Sequence, residues 1–130
     1  FDKERQVWYR GQIDAVKRHF EAGHSHILDH KTGKQKNDFS QLKGFAIFEL
    51  LTQPRIHTVR VDFYWTQTRA TVGETYHRAQ LGDLLAEFTP RLQRFADAHV
   101  HGNFPPKTSG LCNGWCPVTT CEFWRPKRQR

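Results

Sequence analysis

The sequence predicts an α/β (α+β) fold: a mixed sheet flanked by helices, with a cysteine-rich clamp at the C-terminal end. Three observations predict it. Apolar residues alternate with period two in several short runs. They recur at helical spacing in two longer segments. The three cysteines crowd into one stretch near the end.

Residues 7–16 read as the first strand. Trp8, Arg10, Gln12, Asp14 and Val16 share one face, and Val7, Tyr9, Gly11, Ile13 and Ala15 the other. Gly11 marks a bulge, a close approach or a twisted strand that needs room. Residues 21–25 (EAGHS) read as a turn and residues 26–34 (HILDHKTGK) as the second strand. The connection over residues 17–25 is short enough to make the two antiparallel neighbours. Residues 31–38 form a basic loop, with Asp38 as the expected N-cap of the next helix. Phe39, Leu42, Phe45, Ala46, Ile47, Leu50 and Leu51 make that helix broadly apolar, hence buried against the sheet, and it ends before Pro54. Gln41 and Lys43 lie off its apolar stripe, toward a cleft. Residues 56–65 alternate as a strand, and residues 70–77 as a shorter one. Residues 80–100 form the clearest amphipathic helix, with Leu81, Leu84, Leu85, Phe88, Leu92, Phe95 and Ala96 as its core stripe. Pro90 is expected to kink or split it.

The bulk numbers bound the function. A chain of 130 residues is expected to be a single domain: a core over about residues 7–101, the clamp over about 102–124 and a basic tail over 125–130. It starts at Phe1 and has no Met, so an N-terminal part is expected to be missing. No apolar run approaches the roughly 18 residues of a membrane span, and the start does not resemble a signal peptide. The net charge of +7 and pI near 9.7 point to a polyanion, with plain solubility as the bland alternative. An odd cysteine count does not suit a disulfide framework and favours a reducing compartment. A cytoplasmic setting is expected; a nuclear or mitochondrial one stays open.

The chemistry concentrates in the second strand. Period two puts Ile27, Asp29 and Lys31 on one face and Leu28 and His30 on the other. An Asp and a Lys two apart form a compact site, in which the carboxylate can hold a divalent metal beside the ammonium. Asp14 can supply a second carboxylate. Two carboxylates and a Lys suffice for metal-assisted phosphodiester hydrolysis.

The order G-x-I-D, a hairpin, I-x-D-x-K-T-G-K and a helix carrying Gln41 resembles the PD-(D/E)XK nucleases, more narrowly their RecB-like and CRISPR-associated exonuclease branch. The resemblance runs from about Tyr9 to Trp124 and implies a restriction-endonuclease-like core. Asp14 matches the family's first metal-binding Asp. Asp29, His30 and Lys31 match its D-x-K, and Gln41 the Gln that opens Q-x-x-x-Y. Phe45 stands where that motif has Tyr. The resemblance implies Mg2+ or Mn2+ held by Asp14, Asp29 and the His30 carbonyl, with Lys31 acting on the attacking water and Gln41 orienting Lys31 or touching DNA. Lys34, Lys36 and Lys43 are candidate phosphate contacts. Trp8 and Phe45 are read as packing, with stacking on an unpaired base as the alternative.

Cys112, Cys116 and Cys121 sit at a close spacing that suits thiolate ligation of a metal. Three readings are open: an iron-sulfur cluster with a fourth ligand outside the chain, zinc with His99 or His101, or plain buried thiols. The resemblance implies a [4Fe-4S] cluster, since RecB-like nucleases end in a similar block. The function expected is therefore a metal-dependent deoxyribonuclease, more an exonuclease than an endonuclease, in recombination, repair or phage replication. Its partners would be DNA ends and a helicase, recombination or CRISPR protein, with no membrane. A non-catalytic nucleic-acid-binding module on the same fold and a zinc-binding interaction domain are the alternatives.

Overall fold

A computed structural model describes residues 11–35 and 38–126. These fall into two compact units divided between Ala96 and Asp97. The first is an α+β unit built on a four-stranded mixed sheet. Its strands are β1 (Ala15–His19), β2 (His24–Lys31), β3 (Thr58–Trp65) and β4 (Ala70–His77), and they lie in that order across the sheet. The pairs β1–β2 and β3–β4 are antiparallel, while β2–β3 is parallel. Parallel neighbours need a crossover, and helix α1 (Ser40–Thr52) supplies it.

The first strand is shifted from its expected place. Residues 1–10, including Trp8, lie outside the described residues. β1 begins at Ala15, so Asp14 precedes the strand and Gly11 lies outside it. The polar residues Lys17, Arg18 and His19 read as loop, yet they form an edge strand exposed along its whole length. An edge strand tolerates polar side chains on both faces because its backbone pairing is complete on one side. The turn is correspondingly tight. Ala22 and Gly23 donate their N–H groups to His19 and Phe20, and Gly23 takes a positive φ of 61° that favours glycine.

β2 alternates as its sequence requires. Ser25, Ile27 and Asp29 are buried on one face, while His24, His26, Leu28 and His30 are more open on the other. β3 is two residues shorter than expected. Ile56 is held in a turn, its N–H on the Gln53 carbonyl and its own carbonyl on the Arg78 guanidinium. β4 matches the expected span. Gly73 lies opposite Asp62, where a Cβ would fall 1.9 Å from the Val61 carbonyl oxygen. Only glycine lets β4 close on β3 at that point.

The core lies between one sheet face and the helices. Ile27, Val59, Val61, Phe63 and Trp65 meet Leu42, Phe45, Ala46, Ile47 and Leu50 of α1. Phe45 is therefore core and unavailable for stacking on a base. Phe39, not Asp38, is the residue that caps α1; Asp38 Oδ1 accepts the N–H of Ser40 at 3.0 Å instead. A 3₁₀ turn (Arg78–Gln80) leads into α2 (Leu81–His101), which continues through Pro90. Leu84 is buried and Leu81, Leu85 and Phe88 pack on the core, but Phe95 is 60% exposed. The apolar stripe of α2 thus covers the sheet only over its first part. No helix among the described residues is long and apolar enough to cross a membrane.

One buried carboxylate fixes α1. Glu49 is fully buried and accepts Arg18 Nε at 2.6 Å, Arg18 Nη2 at 2.8 Å and Ser25 Oγ at 2.9 Å. Breaking a buried pair strands its remaining charge, so Arg18→Ala, which leaves the Glu49 carboxylate buried without its cation, should cost about 3 kcal/mol of stability. Urea unfolding of the variant against wild type measures this.

Candidate active site

The parallel register places the site. Asp29 lies opposite Phe63 and Lys31 opposite Trp65, with the first turn of α1 above them. Asp29 is 4% exposed. Gln41 Nε2 donates to Asp29 Oδ1 at 3.2 Å, and Gln41 Oε1 accepts from Lys31 Nζ at 2.9 Å. Lys31 Nζ lies 2.6 Å from Asp29 Oδ2, closing a triangle of side chains. That last contact is an ion pair without hydrogen-bond alignment, so Oδ2 is buried and charged yet has no aligned donor. The amide is suited to its corner because it donates to the carboxylate and accepts from the ammonium at once. The Lys31 ammonium also stands 4.9 Å above the Phe63 ring.

The hydrogen bond and ion pair of Asp14 go to His30 and not to the triangle of Asp29, Lys31 and Gln41. Asp14 Oδ2 accepts the His30 backbone N–H at 2.8 Å and lies 3.6 Å from His30 Nδ1. A side chain, not the backbone, thereby carries the β1–β2 pairing past the start of β1. The His30 ring packs edge-on against Tyr64, on the sheet face opposite Asp29. Lys34 lines a cleft of about 430 Å³ together with Lys31, Gly33, Asp38, Ser40, Gln41, Phe63 and Trp65. Lys43 is turned elsewhere: both its hydrogen bonds, at 2.8 Å, go to the Glu87 carboxylate. Lys36 lies outside the described residues.

A divalent cation suits part of this donor set. Asp29 Oδ2 is a hard, buried oxygen that meets the Lys31 ammonium at 2.6 Å, so a cation bound there would share the carboxylate with Lys31. Asp14 offers a second carboxylate, 41% exposed. The cysteine block offers less. In the second unit Cys112, Cys116 and Cys121 are free and half-buried, in a compact knot. The Cys112 carbonyl accepts from Arg125 N, and Trp124 Nε1 donates to the Cys116 carbonyl at 3.1 Å. Among the described residues no three His, Cys, Asp or Glu side chains are gathered to hold one ion.

Sequence reasoning missed two charged constellations. Glu49 with Arg18 and Ser25 is one. The other lies on the open sheet face, where Asp62, 3% exposed, accepts Arg60 Nε at 2.9 Å and contacts His26 Nε2 at 2.8 Å. A signal existed for both. Glu49 falls seven residues after Leu42 on the apolar stripe of α1, and Arg60 and Asp62 are two apart, the same spacing that pairs Asp29 with Lys31.

Compared with known proteins, the chain matches no family model, no curated protein and no solved structure.

Burial pushes the Asp62 carboxyl up, but its bonds to Arg60 and His26 outweigh this and hold it below the usual carboxylate range. A depressed pKa gives stability that is present above the unfolded value, near 3.9, and lost as pH falls through the folded value. Stability should therefore drop below about pH 4, and Asp62→Asn should flatten that limb. Denaturant midpoints between pH 3 and 7 test it.

Proposed function

We propose that this protein is a metal-dependent nuclease that hydrolyses phosphodiester bonds in DNA on a restriction-endonuclease-like core. The observation that carries this is the closed triangle of Asp29, Lys31 and Gln41 at the mouth of a cleft, with a buried carboxylate oxygen left without an aligned donor. The net charge of +7 agrees with a polyanionic substrate.

In this reading Asp29 and Asp14 hold Mg2+ or Mn2+. When bound, the ion supplies Lewis-acid polarisation of the phosphate and a more acidic water. The chain's own residues do the rest. Lys31 presents its ammonium at the cleft, where it would offset charge developing on the phosphate. Gln41 holds the Lys31 ammonium by its carbonyl and Asp29 by its amide, so neither side chain swings away. The buried walls of Phe63 and Trp65 exclude water beneath Lys31, which strengthens its electrostatic effect. Lys34 at the rim meets the strand's backbone. Exonuclease action, a place in recombination or repair and a cluster-bearing cysteine block are parts of the proposal that rest on the sequence resemblance alone.

The test is cleavage of labelled single- and double-stranded DNA with Mg2+ or Mn2+ and with EDTA. Wild type should cut only with metal. Asp29→Ala should abolish cutting while DNA binding persists, since it removes a negative charge near the phosphates. Lys31→Ala should lower the rate about a hundredfold, the usual scale for one electrostatic contact in a dry site. Gln41→Leu should lower it less, because it loosens two groups without deleting either. Equal activity of wild type and Asp29→Ala would refute the assignment. Tight DNA binding with no cutting would leave a binding module on the same fold.

A further inference from the structure

At the end of β2 opposite Lys31, the hairpin brings two imidazoles together. His19 closes β1 and His24 opens β2, and the register pairs them directly across the antiparallel ladder. Directly opposed side chains lie on one face of a sheet. Their ring centroids stand 6.4 Å apart, with the planes inclined by 30°. His19 is exposed and His24 half-buried, so both rings meet solvent. Among the described residues neither ring has a hydrogen-bond or ion-pair partner. In contrast, His26 is held by Asp62, His77 by Thr58 and His101 by the Asp97 carbonyl.

We propose that His19 and His24 chelate one divalent transition-metal ion of the zinc type, clipping β1 to β2 at the hairpin. The imidazole nitrogen is the commonest protein ligand for such ions. A Zn–N bond of about 2.0–2.1 Å puts a ring centroid about 3.2 Å from the ion, so two rings on one tetrahedral ion have centroids about 5 Å apart. The observed 6.4 Å exceeds this by little more than ~1 Å, a gap that rotation of two unbonded side chains closes. The backbone need not move. Ala22 and Gly23 donate to the His19 and Phe20 carbonyls, and the Gly23 carbonyl accepts from His57 and Thr58, which ties the turn to β3. Binding therefore costs side-chain rotamer freedom and little else. Imidazole selects zinc, copper and nickel, whereas Mg2+ and Mn2+ prefer oxygen, so this site is chemically distinct from Asp29 and stands apart from the nuclease reading. Waters complete the coordination. Lys17 and His26, opposed to each other two residues along the same face, are the nearest like charges on the two strands. Lys17 is exposed, so its repulsion is screened by salt, and His26 is engaged by Asp62.

The experiment titrates the 15N-labelled full chain with Zn2+ in an excess of Mg2+, which occupies oxygen sites first. The ring-nitrogen signals of His19 and His24 are identified by their loss in His19→Gln and His24→Gln. Both rings should move together along one saturation curve. Each single substitution should weaken Zn2+ binding at the remaining ring at least about tenfold, because the second ligand of a chelate binds at high effective concentration. The double variant should lose no more than either single one, since the site needs both rings. The proposal is overturned if the two rings respond at different Zn2+ concentrations, or if one keeps wild-type affinity after the other is replaced. Movement of both rings with Mg2+ alone also contradicts it. Zinc taken up only at the cysteines leaves both rings unmoved and counts against it in the same way. If His24→Gln fails to fold, His19→Gln, on the exposed edge strand, carries the comparison through the His24 ring.

Discussion

The arrangement depends on a carboxylate far from the chemistry. Glu49 sits fully buried in the helix that crosses from β2 to β3, and it takes donors from β1 and β2 together. Leu42, Phe45, Ala46, Ile47 and Leu50 of the same helix are all buried, so apolar contact alone specifies its rotation weakly. A single charge that must meet Arg18 and Ser25 specifies it well. Gln41 lies eight residues earlier, about 12 Å along the axis. Its reach to both Asp29 and Lys31 follows from the rotation that Glu49 sets. The parallel register of β2 on β3 then sets Phe63 beside Asp29 and Trp65 beside Lys31.

The part of this that could be read from residues alone was the part governed by short periods. Alternation placed Asp29 and Lys31 on one face, and the helix pattern put Gln41 off the apolar stripe, close enough to predict that they meet. β4 was read to its residue, Ala70 to His77. The β1 error has a different origin. Lys17, Arg18 and His19 carry no apolar signal, since an edge strand is held by backbone pairing to its one neighbour. The same error moved Asp14 out of the strand, where it caps the ladder through the His30 N–H instead of lying within it. Long-range charge pairs such as Glu49 with Arg18 could not be placed by period, because their partners are fixed by the crossover, not by spacing.

The sheet is used unequally. Its covered face holds the core and the triangle of Asp29, Lys31 and Gln41. Its open face carries Asp62 with Arg60 and His26, an ion-paired group that stabilises β3 against its neighbours and reaches no residue of the cleft. The covered face keeps two polar atoms short of partners, and the open face keeps none among the described residues. Folding satisfies polar groups wherever it can. The nuclease reading proposed above has a metal ion complete the covered face at Asp29, sharing the carboxylate with Lys31.

That claim is tested most directly by a crystal structure of the protein grown with Mn2+, using the ion's anomalous scattering to locate it. The account predicts one strong peak bound to Asp29 Oδ2, at the roughly 2.1–2.2 Å expected of a hard cation on oxygen, with Asp14 as a second ligand and Lys31 sharing the carboxylate and still held by Gln41. A Mn2+ site elsewhere, or an Asp29 carboxylate without Mn2+ at saturation, would contradict it.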